Sequence, residues 1–402
     1  MIYADNAATT QLSDLAFEKM LPFLREEYGN ASSQYSLGAK AKRAIKQARR
    51  QVADAIGAQS SEIAFNSGGS EGDSWVIHGV AAQNSGNPIH IITSCIEHRA
   101  VLGACHSLKA SGTQITYLPV DDEGRVSVSD VESALRPNTK LVSIMLANNE
   151  IGTIQPVCEI GKLLHQRGIL FHTDAVQAVG HIPLTVGNLN VDFLTASAHK
   201  FNGAKGTGFV YIKSGLALPK LVFGGEQEQG YRAGTENVAG IVALGAALEE
   251  SVAMMDSERE KKNALIRNTI CELRAGIPGI IFNSENAERL PGILNITFPD
   301  ASGEAMMHLL DLKGICVSTS SACTSSKDEP SHVLLALGLS KQQAKSSIRI
   351  SYGRYNRVED AKEIVLAICN VYGKIVASKV ARKEESIHGK YHNALSRDSL
   401  RV

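Results

Sequence analysis

Between Ile63 and Ile212 the sequence alternates short Val/Ile/Leu-rich runs with segments of helical periodicity, and few folds accept that alternation. The runs are Ile63 to Phe65, "PIHIIT" (Pro88 to Thr93), "QITYLPV", "KLVSIMLA", "ILFHTDA", "VDFLTAS" and "TGFVYIK". Helical patterns lie among them at Arg99 to Lys109, Val128 to Leu135 and Val157 to Arg167. An earlier one, Lys40 to Ile56, carries a basic outer face. Runs this continuously apolar suit strands buried on both faces. The expected fold is α/β, a mostly parallel sheet covered by helices. Ligands bind such sheets beyond the carboxyl ends of the strands, so the informative residues should stand just after each run.

The pattern changes after Glu249. "EESVAMMDSEREKKNALIRNTICELRA" reads as one long, charged, amphipathic helix bridging two domains. Beyond it, the strand candidates "GILNITF", "GICVST" and "SSIRISYG" and a helix from Val358 to about Val376 make a smaller α+β domain. The expected division is 14–256 for a large domain and 1–13 with 257–376 for a small one. Residues 377–402 lack apolar periodicity and read as a mobile tail. A chain of 402 residues, 44% hydrophobic, can build two cores. A formal net charge of +0 gives no bulk attraction to nucleic acid. The first residues, "MIYADNAATT", have no signal-peptide pattern, and "VAGIVALGAAL" is too short for a bilayer span. Seven scattered cysteines suit free thiols in a reducing cytoplasm. Neither a membrane nor direct nucleic-acid contact is expected.

In "TASAHKFNGAKGTG", Lys200 follows a strand by a few residues. Most lysines are solvated surface groups. Here Ser197 and His199 precede it, and Gly203, Gly206 and Gly208 let the backbone approach a ligand. A lysine amine can form a Schiff base with a carbonyl cofactor such as pyridoxal 5′-phosphate (PLP). That ring needs an acidic partner for its nitrogen. Asp174, ending "ILFHTD", meets this need or else merely caps a helix, and the two readings weigh equally. "NSGGSEGD" places Gly68, Gly69 and Ser70 before a helix, whose orphan N–H groups bind phosphate. Ser197 and His199 can add donors. His98 follows another strand and offers a ring to stack on. Cys95, His98, Cys105 and His106 match no common zinc spacing, so no metal site is expected.

The ordered set "YADNAATT", "GNASSQYSLG", "NSGGSE", "EHRAV", "ANNEIGTIQP", "HTDAVQAVG", "SAHKFNGAKGTG", "RAGTEN", "SSACTSS" and "SSIRISYGR" resembles cysteine desulfurases of the NifS/IscS type, PLP enzymes of aminotransferase fold type I. The resemblance runs from about Ile2 to about Val376. It implies that Lys200 carries PLP through its amine, Asp174 pairs with the ring nitrogen, and His98 stacks on the ring and moves protons. It places Asn149 and Gln177 at the phenolic-oxygen side, with Asn149 also bordering the substrate. Gly69, Ser70, Ser197 and His199 would hold the phosphate. Thr235 of "RAGTEN" would reach the neighbouring subunit's site, which implies a homodimer. Arg349 would clamp the substrate carboxylate, a task that suits a guanidinium. Cys323 decides the implied reaction. It would take sulfur from L-cysteine as a persulfide, leave L-alanine, and pass the sulfur to an acceptor. An iron–sulfur scaffold, a tRNA-thiolation protein or a DNA-phosphorothioation protein would serve.

A structural cysteine is the ordinary fate of a free Cys. The polar residues around Cys323, in a loop at about 316–335, instead suggest an accessible thiol. Three departures from the family pattern stand out: Tyr35 for the usual histidine, Gly72-Asp73-Ser74 where many members have "ESNN" or similar, and Ala233 for serine. Rival readings are a selenocysteine lyase or other fold type I aminotransferase, and a non-catalytic PLP-binding scaffold.

Overall fold

The computed structural model describes residues 1–319 and 329–398. The chain opens with β1 (Ile2–Tyr3), α1 (Asp14–Arg25) and α2 (Ser36–Ile56). The alternating region follows as β2 (Ile63–Asn66), α3 (Gly69–Gln83), β3 (His90–Ser94), α4 (Arg99–Leu108), β4 (Gln114–Leu118), α5 (Val128–Ala134), β5 (Thr139–Ser143), α6 (Val157–Arg167), β6 (Leu170–Asp174), α7 (Val186–Leu189), β7 (Phe193–Ser197) and β8 (Gly208–Ile212). Seven of these strands form one sheet in the order β2-β8-β7-β6-β5-β3-β4. Only β8 runs antiparallel to its neighbours, β2 and β7. The mostly parallel α/β sheet read from the sequence is therefore present. All its other strands end at one edge, where Ser67, Cys95, Ile144, Asp174 and Ser197 begin the loops. Every residue of β2, β3, β6 beyond Leu170, β7 and β8 is buried, as a sheet covered on both faces requires.

The long helix α8 (Val238–Gly276) starts earlier than its charged stretch suggests. Its first turns bury Ile241, Leu244 and Leu248 in the core shared with the large sheet. Its last turns bury Leu265, Ile266 and Leu273 in a separate core. One window of α8 is apolar enough to cross a membrane by composition, but 56% of it is buried inside the protein. The second core lies on β9 (Ile281–Asn283), β10 (Ile293–Thr297), α9 (Gly303–Asp311), β11 (Ile315–Cys316) and β12 (Ser318–Thr319). After the described gap come α10 (His332–Ala336), α11 (Lys341–Lys345), β13 (Ser347–Ser351) and α12 (Val358–Asp398). A second sheet runs β12-β13-β10-β9, and β1 pairs with β11. Ile2 and Ala4 thus belong to the second core, whereas Ala7 belongs to the first.

Three differences from the sequence expectation have physical causes. Helix α1 carries Pro22 inside it, which masks its periodicity; Ser13 caps its start by accepting from Ala16 N at 3.1 Å. Strand β9 is three residues long and one of them, Ile281, is exposed, so it gives little apolar signal. The segment after Val376 read as a tail continues α12 to Asp398. It is rich in Ala, Lys, Arg and Glu without proline, so backbone propensity carries the helix where an apolar stripe does not.

A buried ion network ties the small domain to α8. Arg354 Nε meets Glu258 Oε1 at 2.6 Å, its Nη2 donates to Ser251 Oγ at 3.0 Å, and its Nη1 pairs with Glu250. Lys262 Nζ joins Glu258 Oε2 at 2.6 Å. Removing one partner leaves the others buried and uncompensated. Arg354→Ala is therefore expected to lower stability by about 3–5 kcal/mol, read from the midpoint of urea unfolding.

Candidate active site

A cavity of ≈ 290 Å³ opens at the carboxyl edge of the large sheet. Gly69, Ser70, His98, Asn149, Asp174, Gln177, Ser197, His199, Lys200 and Arg349 all line it, so ten residues chosen from the sequence converge. Two do not join them. Thr235 is exposed and away from this cavity, and Cys323 lies outside the described residues.

The loop after β2 sets one end. Asn66 Oδ1 accepts from Gly68 N at 3.0 Å, and Gly68 takes φ 146°, a conformation open to glycine. No side chain caps α3, so its first amides face the cavity unclaimed by their own helix. A Cβ on Gly68 would lie 3.2 Å from Ser197 Oγ, and one on Gly69 would lie 2.7 Å from Val176 Cγ2. Side chains here would fill the space at the helix start.

The loop after β3 sets a wall. His98 caps α4, its Nδ1 accepting from Ala100 N at 3.2 Å, which leaves the neutral ring's proton on Nε2. Burial lowers its pKa below the usual 6.5, against the pull of Asp174, so the ring is neutral at pH 7. Its neighbour Glu97 is fully buried; Ser94 Oγ donates to it at 2.6 Å and Met145 N at 3.0 Å. Burial pushes Glu97 up to about 8. After β5, Asn148 Oδ1 accepts from Glu150 N at 2.8 Å and Ile151 N at 3.1 Å, a turn that presents Asn149.

At the end of β6, Asp174 Oδ1 accepts from Val176 N at 2.9 Å, and burial raises its pKa. The Asx turn and the cavity position both hold, so the capping and the cavity readings of Asp174 describe one arrangement. After β7, Lys200 Nζ donates to Ala7 O at 2.8 Å and Ala8 O at 2.7 Å. Gln177 Nε2 donates to the same Ala7 O at 2.9 Å. From the small domain comes Arg349, whose Nη2 meets Asp5 Oδ1 at 2.6 Å and whose Nη1 donates to Asn149 O at 2.8 Å. The Asp5, Ala7 and Ala8 contacts were not foreseen. Two are backbone carbonyls, which carry no sequence signal, and Asp5 gives only its place after the first strand. Cys105 is buried in a core cluster with Trp75 and Val101.

The comparisons agree with this geometry. The model of the aminotransferase class-V family matches residues 2–364. The chain belongs to the class-V aminotransferase family. It is 46% identical over 374 residues to a cysteine desulfurase IscS of Methanosarcina thermophila, covering 93% of this chain and 92% of the relative. A solved NifS-like protein superposes with a TM-score of 0.87 at 37% identity, covering 92% of this chain and 99% of that one. A structure described as SspA in complex with cysteine superposes at 0.79 with 35% identity, covering 89% and 100%.

Class-V aminotransferases of this kind work with PLP, and the residues present fit it. The uncapped, glycine-walled start of α3 suits its phosphate. Asp174, a buried carboxyl in contact range of a neutral histidine, gains most from a cationic partner such as a protonated ring nitrogen. Donor atoms of Asp73, His98 and Asp174 lie within 4.8 Å of one another. Asp73 was singled out in the sequence only as a departure from the family pattern; the class-V fold brings it to the cavity.

Two outcomes follow. Gly68→Ala forces φ 146° on a residue with a side chain and crowds Ser197, so PLP should dissociate about tenfold more readily, or 1.4 kcal/mol; fluorescence titration measures it. Glu97 holds its proton to about pH 8 in the folded state but only to 4.5 when unfolded. Its contribution is therefore full below 4.5 and is lost as pH rises toward 8. Stability of the native protein relative to Glu97→Gln should fall with a slope of up to about 1.4 kcal/mol per pH unit across that window, in urea melts at stepped pH.

Proposed function

We propose that this chain is a PLP-dependent cysteine desulfurase that converts L-cysteine to L-alanine and passes the sulfur, as a persulfide on Cys323, to an acceptor protein. The observation that carries the reading is convergence: Lys200, Asp174 and His98 of the large domain and Arg349 of the small one line a single cavity. Relatives that carry the name cysteine desulfurase support it over most of their length.

When bound, PLP draws electrons from the carbon skeleton of the amino acid. The chain's own groups do the rest. The N–H groups at the start of α3, with Ser70, Ser197 and His199, hold the phosphate. Gln177 and Asn149 would border its phenolic-oxygen side, and Asp174 would favour a proton on its ring nitrogen. Arg349, kept in place by Asp5, takes the substrate carboxylate with the guanidinium hydrogens that Asp5 and Asn149 leave over. His98 Nε2 moves protons at the substrate. The Cys323 thiolate attacks the substrate sulfur; the S–S bond forms, the C–S bond breaks, and the electron pair left on carbon takes a proton to complete the methyl group of alanine.

Chain length supports Cys323 as the nucleophile. Thr319 lines the cavity, and four residues of chain span at most about 14 Å. On the far side of the segment, Ser331 Oγ donates to Glu150 Oε2 at 2.5 Å and His332 Nε2 meets Glu97 O at 3.0 Å, so that end is fastened beside Asn149 and His98. A homodimer accords with the exposed Thr235 and the neighbouring Phe223, 84% exposed. The scattered free cysteines accord with the cytoplasm.

The test uses three variants of the full chain. Lys200→Ala should fail to retain PLP through gel filtration and to fix it with borohydride. Cys323→Ser should keep PLP yet lose alanine production by roughly 10³-fold. Arg349→Ala should raise KM for cysteine about 100-fold, the loss of charged hydrogen bonds worth about 3 kcal/mol. Full alanine production by Cys323→Ser would overturn the reading.

A further inference from the structure

Asp73 stands on the first turns of α3, 1% exposed, at the wall of the cavity. No hydrogen bond of good geometry reaches either of its carboxyl oxygens among the described residues, and the Thr195 hydroxyl beside it is the one neighbour there that draws its pKa down. Its nearest basic group is His172 Nε2, 3.6 Å from Oδ1. That imidazole is already engaged, with Ser143 Oγ at 2.8 Å on Nδ1 and Thr195 Oγ1 at 3.0 Å on Nε2. Burial drives the His172 pKa down to about 3, so it brings no positive charge. Among the described residues, Asp174 on β6 and Glu97 behind β3 act on Asp73, His98 at the start of α4 lies close by, and the Lys200 amine lines the same cavity but acts on Asp174 and His98. An ionised carboxylate so placed would be buried, unpaired and beside a second carboxylate.

We propose that Asp73 is a positioning residue of this site, a neutral carboxylic acid whose proton, held beside Asp174, keeps Asp174 ionised and aimed at the ring nitrogen of bound PLP. Two carboxyls in one dry pocket cannot both ionise, so the pair divides the work. Asp174 already has the Val176 amide on Oδ1 and the amine of Lys200 in its field, both of which favour its charge. Asp73 has neither and keeps the proton. Burial and the Asp174 charge hold it well above the usual carboxyl range. Gly72 makes the close approach of this helix turn feasible, since a Cβ there would lie 2.6 Å from Thr195 Cγ2.

The role toward PLP rests on the function proposed above; the proton assignment does not. The full chain, produced with carbon-13 in its aspartate carboxyls, is observed by NMR at neutral pH without and with PLP. One aspartyl resonance should show the shift of a protonated acid in both states, survive Asp174→Asn, and vanish in Asp73→Asn. Asp73→Ala, which removes the acid outright, should weaken PLP binding about tenfold and move the pH titration of the bound absorption band, and Asp73→Asn, an uncharged match in shape, should restore both. Ionisation of every aspartate at neutral pH in the native protein, a reading that requires no variant to fold, overturns the proposal. So does loss of the protonated signal in Asp174→Asn instead, or a tenfold gain in PLP affinity in Asp73→Asn. Failure of the native protein to bind PLP at all would overturn the desulfurase reading and leave the proton assignment to the PLP-free spectrum.

Discussion

Residues 2–10 bond to both domains, and the site exists because they do. Ile2 N donates to Gly314 O at 2.7 Å and Ala4 N to Cys316 O at 2.9 Å, so the chain enters as a strand of the small domain. Asn6 Nδ2 then donates to Ser351 O at 2.9 Å, Asp5 takes the Arg349 guanidinium, and the Ala7 and Ala8 carbonyls receive Lys200 and Gln177. Thr10 N finishes on His199 O at 2.8 Å. One short strip thus fixes the small domain's cation against the large domain's amine. The two cores share α8 as well, but a helix transmits only spacing and axis. The strip sets which side chains meet. Because most of its contacts are backbone groups that must be satisfied once buried, shifting it by a residue would break the whole set at once.

Burial with little charge compensation is the second feature of the site. Glu97, Asp174, Glu150 and Asp73 are all buried around one cavity. Desolvation raises each of them, Glu150 to about 7 and Glu97 to about 8. Each differs in what opposes that rise. Glu97 and Glu150 accept from amides or hydroxyls and serve as fixed braces of the loops that carry His98 and Asn149. Asp174 adds the Val176 amide and the field of the Lys200 amine. A low-dielectric pocket makes such small differences decisive, since neighbouring carboxyls in water would ionise alike. The charge of the site is therefore set by its hydrogen bonds more than by its composition.

The sheet and its edge were legible because buried parallel strands write continuous apolar runs, and because ligand groups follow their ends. His98, Asn149, Asp174 and Lys200 each stand after such a run, and each faces the cavity. What stayed illegible falls into two kinds. Contacts made by backbone carbonyls, such as those of Ala7 and Ala8 to Lys200, depend on path and leave no residue signature. Side chains that meet from distant parts of the chain, such as Asp5 with Arg349 or Arg354 with Glu258, look like ordinary surface charges until the chain folds. Asp73 belongs to neither kind. It was read only as a departure from the family pattern, and nothing in its residue type shows that the start of α3 carries it to the cavity wall.

The two ends of the segment 320–328 limit what any residue within it can do. Ser318, which pairs with Arg349, and Thr319 fix one end beside that guanidinium. Ser331 and His332 fix the other beside Asn149 and His98. Two ends held on the walls of one cavity lower the entropic cost of closing the chain between them, a cost that grows only slowly with its length. The same tethers work in the opposite direction. Donation of the Ser331 hydroxyl to a carboxyl whose pKa is about 7, and of His332 to a carbonyl, braces the loops that carry Asn149 and His98 from the side of the small domain. The walls of the cavity that bear Asn149 and His98 are therefore held by the same bonds that fix the end of the segment at Ser331.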